Sequence, residues 1–169
     1  MLLRPARLSD ASSIAAISIE VWIGTYIKRG VSAFFADYAL RTFTRENTET
    51  LIADPDQTFL VSENADGIDG VLRLARGSPA PVEGCHDVEI ATLYVQPRHQ
   101  GKGIGRALLN AAFELCHDEA APSVWLATNA ENTPAIGFYL VTGFRQVGQT
   151  QFRIGDQAYP NNVYACRLA

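Results

Sequence analysis

Seven residues constrain this chain more than any others: Gln100-Gly101-Lys102-Gly103-Ile104-Gly105-Arg106. Before them runs Asp87–Val95, rich in β-branched and aromatic residues; from Gly103 to about Glu119, Ile104, Leu108, Ala111, Ala112 and Leu115 recur at helical spacing. A glycine-rich turn between a strand and a helix lets the backbone approach a ligand closely, and the helix's first amides point outward unpaired. With the helix dipole, those amides suit phosphate oxygens; Arg98, Lys102 and Arg106 add positive charge, and His99 could add more. The spacing is neither that of a Walker loop nor that of a dinucleotide fingerprint, whose last glycine would fall on Arg106 or Leu108. The competing reading is a plain turn with solvated charges. Three alternating glycines argue against it, since each one ending inside a helix is up to about 1 kcal/mol worse than alanine.

The rest of the chain supplies a core for that turn to sit on. With 169 residues, 47% hydrophobic and 19% charged, it is predicted to form a single domain over 1–169 rather than a disordered segment. A net charge of −4 argues against a nucleic-acid partner bound through phosphates. No apolar run reaches the roughly 18 residues that span a bilayer, and the apolar start Met1-Leu2-Leu3 is too short for a secretory signal, so no membrane partner and a cytoplasmic location are expected. Cys85, Cys116 and Cys166 lack metal-ligand or disulfide-framework spacing and read as small buried hydrophobes; no metal is expected.

Strands are predicted at Leu3–Leu8, Thr58–Glu63, Val71–Arg76, Asp87–Val95 and Val124–Thr128. Helices are predicted from a Ser9 or Asp10 cap through Val21, across Phe34–Phe43, over Glu46–Ala53, from Gly103 to about Glu119, and from Asn132 to a stop at Gly143. Ser78–Gly84 reads as a loop, and Phe144–Leu168 as a hairpin turning around Gly155-Asp156 and Pro160-Asn161-Asn162. Interleaved strands and helices make this an α/β or α+β domain with a mixed sheet.

Two further features carry possible chemistry. Asn132 and Tyr139 are two helical turns apart, so they share one face about 10.5 Å apart along the axis. They read either as a site pair or as a helix cap and a core aromatic. Glu89 opens the strand upstream of the glycine turn and reads either as a solvated rim residue or as a base.

In this order, the pieces resemble the GCN5-related N-acetyltransferase (GNAT) superfamily. Gln100-Gly101-Lys102-Gly103-Ile104-Gly105 is similar to its Arg/Gln-x-x-Gly-x-Gly/Ala motif, flanked by Val95-Gln96-Pro97 and Ala107-Leu108-Leu109. Asn132-x-x-Ala135-x-x-Phe138-Tyr139-x-x-x-Gly143-Phe144 resembles its Asn-x-x-Ala…Tyr…Gly-Phe segment, and Arg4-x-Ala6 with Asp10 its opening. Ser18–Trp22, Trp125-Leu126 and Phe152-x-x-Gly155-Asp156 are similar to the bacterial spermine/spermidine (PaiA-like) branch.

The resemblance implies a mixed, mostly antiparallel twisted sheet flanked by helices, with the two central strands carrying Leu93 and Leu126 splayed apart. It implies acetyl-CoA as co-substrate, its pantetheine arm along Leu93, Tyr94 and Val95, its pyrophosphate on Gln100, Gly101, Lys102, Gly103, Ile104, Gly105 and Arg106, and Asn132 shaping the pantetheine pocket. It further implies direct N-acetylation of a primary amine, a polyamine or another small amine, with Glu89 as base and Tyr139 as acid, and Glu20, Trp22 and Tyr26 as acceptor contacts. A peptide amino group is the alternative acceptor, and a non-catalytic acyl-CoA-binding module the alternative function. A homodimer through terminal strands is an arrangement common in such families.

Overall fold

The computed structural model describes residues 1–168; Ala169, the end of the expected 1–169 domain, lies outside the described residues. The strands are β1 (Leu2–Pro5), β2 (Gln57–Glu63), β3 (Ile68–Ala75), β4 (Glu89–Val95), β5 (Ser123–Asn129), β6 (Arg145–Ile154) and β7 (Gln157–Arg167). The helices are α1 (Ala11–Tyr26), α2 (Ala33–Thr42), α3 (Arg45–Ala53), α4 (Ile104–Asp118) and α5 (Thr133–Val141). The strands form a seven-stranded sheet in the order β1-β2-β3-β4-β5-β7-β6. β1 pairs antiparallel with β2, and β7 antiparallel with both β5 and β6. β4 and β5 are parallel neighbours, with Glu89 opposite Trp125. This is the mixed, helix-flanked sheet that the sequence predicts.

Three expectations change at their edges. The first strand stops at Pro5 instead of Leu8, because Leu8–Asp10 turns into a short 3-10 segment. Asp10 precedes α1 but makes no side-chain cap bond to that helix; its carboxylate accepts instead from Arg4 (2.7 and 3.0 Å) and from the Arg7 amide (2.7 Å). The Pro160-Asn161-Asn162 stretch is no turn but part of β7, with Asn161 opposite Asn129. Pro160 thus lies one residue beyond the β5-paired stretch, where a missing N–H is tolerated.

The chain divides into two compact units, and helix α4 and strands β3 and β4 each contribute to both. The first comprises Met1–Arg73 with Thr92–Ala112. Its core gathers Ile14 and Ile17 of α1 with Phe59, Val61 and Val71 of the sheet. Gly70 of β3 lets α4 lie close: a Cβ there would come within 2.7 Å of Ile104 Cγ2 and 3.1 Å of Leu108 Cδ1. Burying Ile104 and Leu108 on that spot stabilises the start of α4 by roughly 1.5–3 kcal/mol per side chain.

The second unit comprises Leu74–Ala91 and the chain from Phe113 onward. Inside it the Tyr139 ring meets Phe144 edge-on and Tyr164 at a tilt, with centroids 5.6 and 6.5 Å apart, and Val124, Leu126 and Val163 are buried in the same unit. All three cysteines are free; Cys116 and Cys166 are buried, and Cys85 is half-buried in the β3–β4 segment.

Candidate active site

In the first unit, the glycine turn takes the shape its residues permit. Gly101 and Gly103 have φ of +77° and +84°, a left-handed backbone that side-chain-bearing residues rarely adopt. Gly105 falls in the first turn of α4. The first bond of that helix runs from the Ala107 amide to the Gly103 carbonyl, 3.0 Å, so the amides of Ile104, Gly105 and Arg106 lie ahead of it. Lys102 and Arg106 are exposed, as is Gln100, whose Nε2 donates to the Val95 carbonyl at 3.1 Å. That bond ties the turn to the end of β4. On β4 itself, the Tyr94 side chain packs against the α1 core, so what this residue offers outward is its backbone.

The acceptor candidates sit on α1 in the same unit. Glu20 accepts from Gln96 Nε2 at 3.1 Å and lies 4.0 Å from Arg98, so it braces the segment leading into the glycine turn. Trp22 is only 4% exposed, stacked on Tyr26 with centroids 4.7 Å apart and flanked by Tyr38 and Phe43. Of the three α1 candidates, Glu20 and Tyr26 are thus half-buried, and Trp22 is a core residue.

The second unit holds the other candidates. Asn132 caps α5, its Oδ1 accepting from the Ala135 amide at 3.3 Å, and Pro134 occupies the first turn. Two turns on, Tyr139 is 8% exposed. Burial alone pushes its phenol well above the usual tyrosine range, with no hydrogen bond contributing among the described residues.

Glu89 is half-buried at the head of β4. Its Oε2 accepts from Ser78 Oγ at 2.7 Å, and the Ser78 carbonyl accepts from Trp125 Nε1 at 2.8 Å. The sequence places Ser78 in an unremarkable loop, and no spacing rule links it to Trp125, 47 residues on. Only the parallel pairing of β4 with β5 brings the three together.

Among the described residues no group of three or more His, Cys, Asp or Glu side chains could hold a metal ion, and no helix is long and apolar enough to cross a membrane.

Comparison with known proteins agrees with this picture. An uncharacterized N-acetyltransferase of Mycobacterium bovis is 27% identical over 157 residues, covering 93% of this chain and 96% of its own. Human N-acetyltransferase 8B is 27% identical over 121 residues, covering 71% of this chain and 52% of its own. The PaiA N-acetyltransferase from Thermoplasma acidophilum, solved in complex with coenzyme A, shares the fold with a TM-score of 0.80 at 18% identity over 98% of both chains. The model of the acetyltransferase (GNAT) family matches residues 27–144, which contain the glycine turn, Glu89, Asn132 and Tyr139, and the chain belongs to that family.

Proposed function

We propose that this protein transfers the acetyl group of acetyl-CoA directly to the nitrogen of a small primary amine, with polyamines the first acceptors to test. The observation that carries this is the turn before α4, where two left-handed glycines present the amides of Ile104, Gly105 and Arg106 beside three exposed cations, Arg98, Lys102 and Arg106. That donor set fits a diphosphate: dipole-aligned amides bind its oxygens and the guanidinium and ammonium groups offset its charge. Leu93, Tyr94 and Val95 offer backbone groups to the amides of the pantetheine arm, and Asn132 is the candidate for its pocket on α5. The similarity of Ser18–Trp22, Trp125-Leu126 and Phe152-x-x-Gly155-Asp156 to the spermine/spermidine branch supports a polyamine, and a net charge of −4 favours the approach of a cationic acceptor.

The chemistry begins with a proton. An alkyl ammonium with pKa of about 10.4 is neutral in about one molecule in 2,500 at pH 7, a penalty of roughly 4.6 kcal/mol. Glu89 removes that proton, directly or through water. The freed lone pair attacks the thioester carbon, the nitrogen loses its second proton to water, and the C–S bond breaks. Tyr139 then supplies a proton or a hydrogen bond to the departing sulfur, its phenol kept protonated by burial.

The test is thiol release from acetyl-CoA with a panel of spermidine, 1,4-diaminobutane and alanyl-alanine, alongside calorimetry with coenzyme A. Binding heat and amine-dependent thiol release are expected. Folded protein that takes up no coenzyme A refutes the reading. Glu89→Gln is expected to lose activity chiefly at low pH, where few acceptor amines are neutral; a pH–rate profile superimposable on the native one removes Glu89 as the base.

A further inference from the structure

We propose that Ser78 is the positioning residue for Glu89, and that residues 77–88 form a strap whose seating on the second unit decides where that carboxylate points. The inference rests on the reading of Glu89 as the base. All three polar groups of Ser78 are engaged. Its amide donates to the Asp87 carbonyl at 2.8 Å, its carbonyl accepts from Trp125 Nε1 at 2.8 Å, and its hydroxyl donates to Glu89 Oε2 at 2.7 Å. The two backbone bonds clamp the residue, leaving the hydroxyl with one task.

The clamp itself is anchored in the interior. Trp125 is 6% exposed, and its amide donates to the Val88 carbonyl at 3.0 Å, beside the Glu89–Trp125 pairing. Further along the strap, the His86 amide donates to Ser123 Oγ at 3.2 Å. Val82 rides over β6 at Gly148, where a Cβ would come within 2.5 Å of Val82 Cγ1. Gly148 lies at the register shift between β6 and β7, so the sheet is bent where the strap crosses it.

The chemical consequence follows from a carboxylate having two oxygens. Ser78 holds Oε2, which fixes a side chain that would otherwise sample many rotamers, and leaves Oε1 to receive the proton. Ser78→Ala removes only the hydroxyl and keeps both backbone bonds, so the strap stays seated. Ser78→Thr keeps the donor.

The experiment measures kcat and KM for thiol release from acetyl-CoA, using the same three-amine panel, in Ser78→Ala, Ser78→Thr, Glu89→Gln and the Ser78→Ala/Glu89→Gln double variant. Loss of a hydrogen bond to a charged group predicts a drop in kcat of about tenfold or more for Ser78→Ala with KM for acetyl-CoA unchanged. Ser78→Thr restores most of it, and Ser78→Ala has no further effect once Glu89 is glutamine. Gly148→Ala, which presses on Val82, lowers kcat in the native background and not in Glu89→Gln. Native turnover in Ser78→Ala overturns the proposal, as does a full-sized Ser78→Ala effect in the Glu89→Gln background. Unaltered turnover in Glu89→Gln sinks the base itself, and the proposal with it.

Discussion

Replacing Tyr139 with phenylalanine separates chemistry from packing, because only the chemistry depends on the hydroxyl. The ring lies 5.5 Å from Phe138, 5.6 Å from Phe144 and 6.5 Å from Tyr164 between centroids, and phenylalanine keeps all three contacts. Only the hydroxyl goes. The hydroxyl makes no hydrogen bond among the described residues and is not one of the solvent-excluded polar atoms, so its removal changes stability by less than about 1 kcal/mol. At about 2–4 °C per kcal/mol for a chain of this size, the melting temperature holds to within a few degrees. Turnover does not. Losing a positioned proton donor lowers kcat by about 10²–10⁴-fold, and KM for acetyl-CoA holds because the glycine turn is untouched. Differential scanning fluorimetry and steady-state thiol release read the two quantities on one preparation. Full turnover in Tyr139→Phe removes the residue as the acid. A fall in melting temperature of more than a few degrees refutes the expectation, because it gives the hydroxyl a structural partner.

Gly103→Ala forces a side chain into φ of +84° in otherwise open space, so backbone strain of about 1–2 kcal/mol is the expected effect, read as a higher Kd for coenzyme A by calorimetry; unchanged affinity refutes it. Gly70→Ala drives a Cβ toward Ile104 and Leu108, and overpacking of about 1–3 kcal/mol lowers the melting temperature; a native melt shows that α4 yields freely. Arg4, hydrogen-bonded to Asp10, holds that carboxyl below the usual carboxylate range. Its stabilisation is therefore complete above the unfolded value of about 3.9 and drains away as pH falls through the lower folded value. Asp10→Asn is expected to destabilise at neutral pH and to flatten the acid limb of the stability curve; an unaltered limb in urea titrations at pH 3–6 refutes this.

What the sequence reveals of the site is what is local. Gly101 and Gly103 announce a left-handed turn because few other residues adopt it, and Asn132 followed by Pro134 announces a helix start because both fit its unpaired amides. Ser78 gives no such signal, since its partners Trp125 and Glu89 meet it only after two strands pair in parallel. Trp22 is equally opaque. A tryptophan on a helix face looks the same in sequence whether it meets a ligand or, as here, Tyr26, Tyr38 and Phe43. Pro160 suggests a turn by its chemistry, and only the point where β5 stops pairing makes room for it inside β7.

The thiols have a practical consequence. Burial pushes Cys116 up to about 11 and raises Cys166 as well, so both sulfurs stay in the poorly nucleophilic protonated form behind packed side chains. Cys85, half-buried in the segment that carries Ser78 and Val82, is left as the accessible one. A maleimide fluorophore added to the unmutated protein would therefore land in the segment that carries Ser78, without any engineered cysteine.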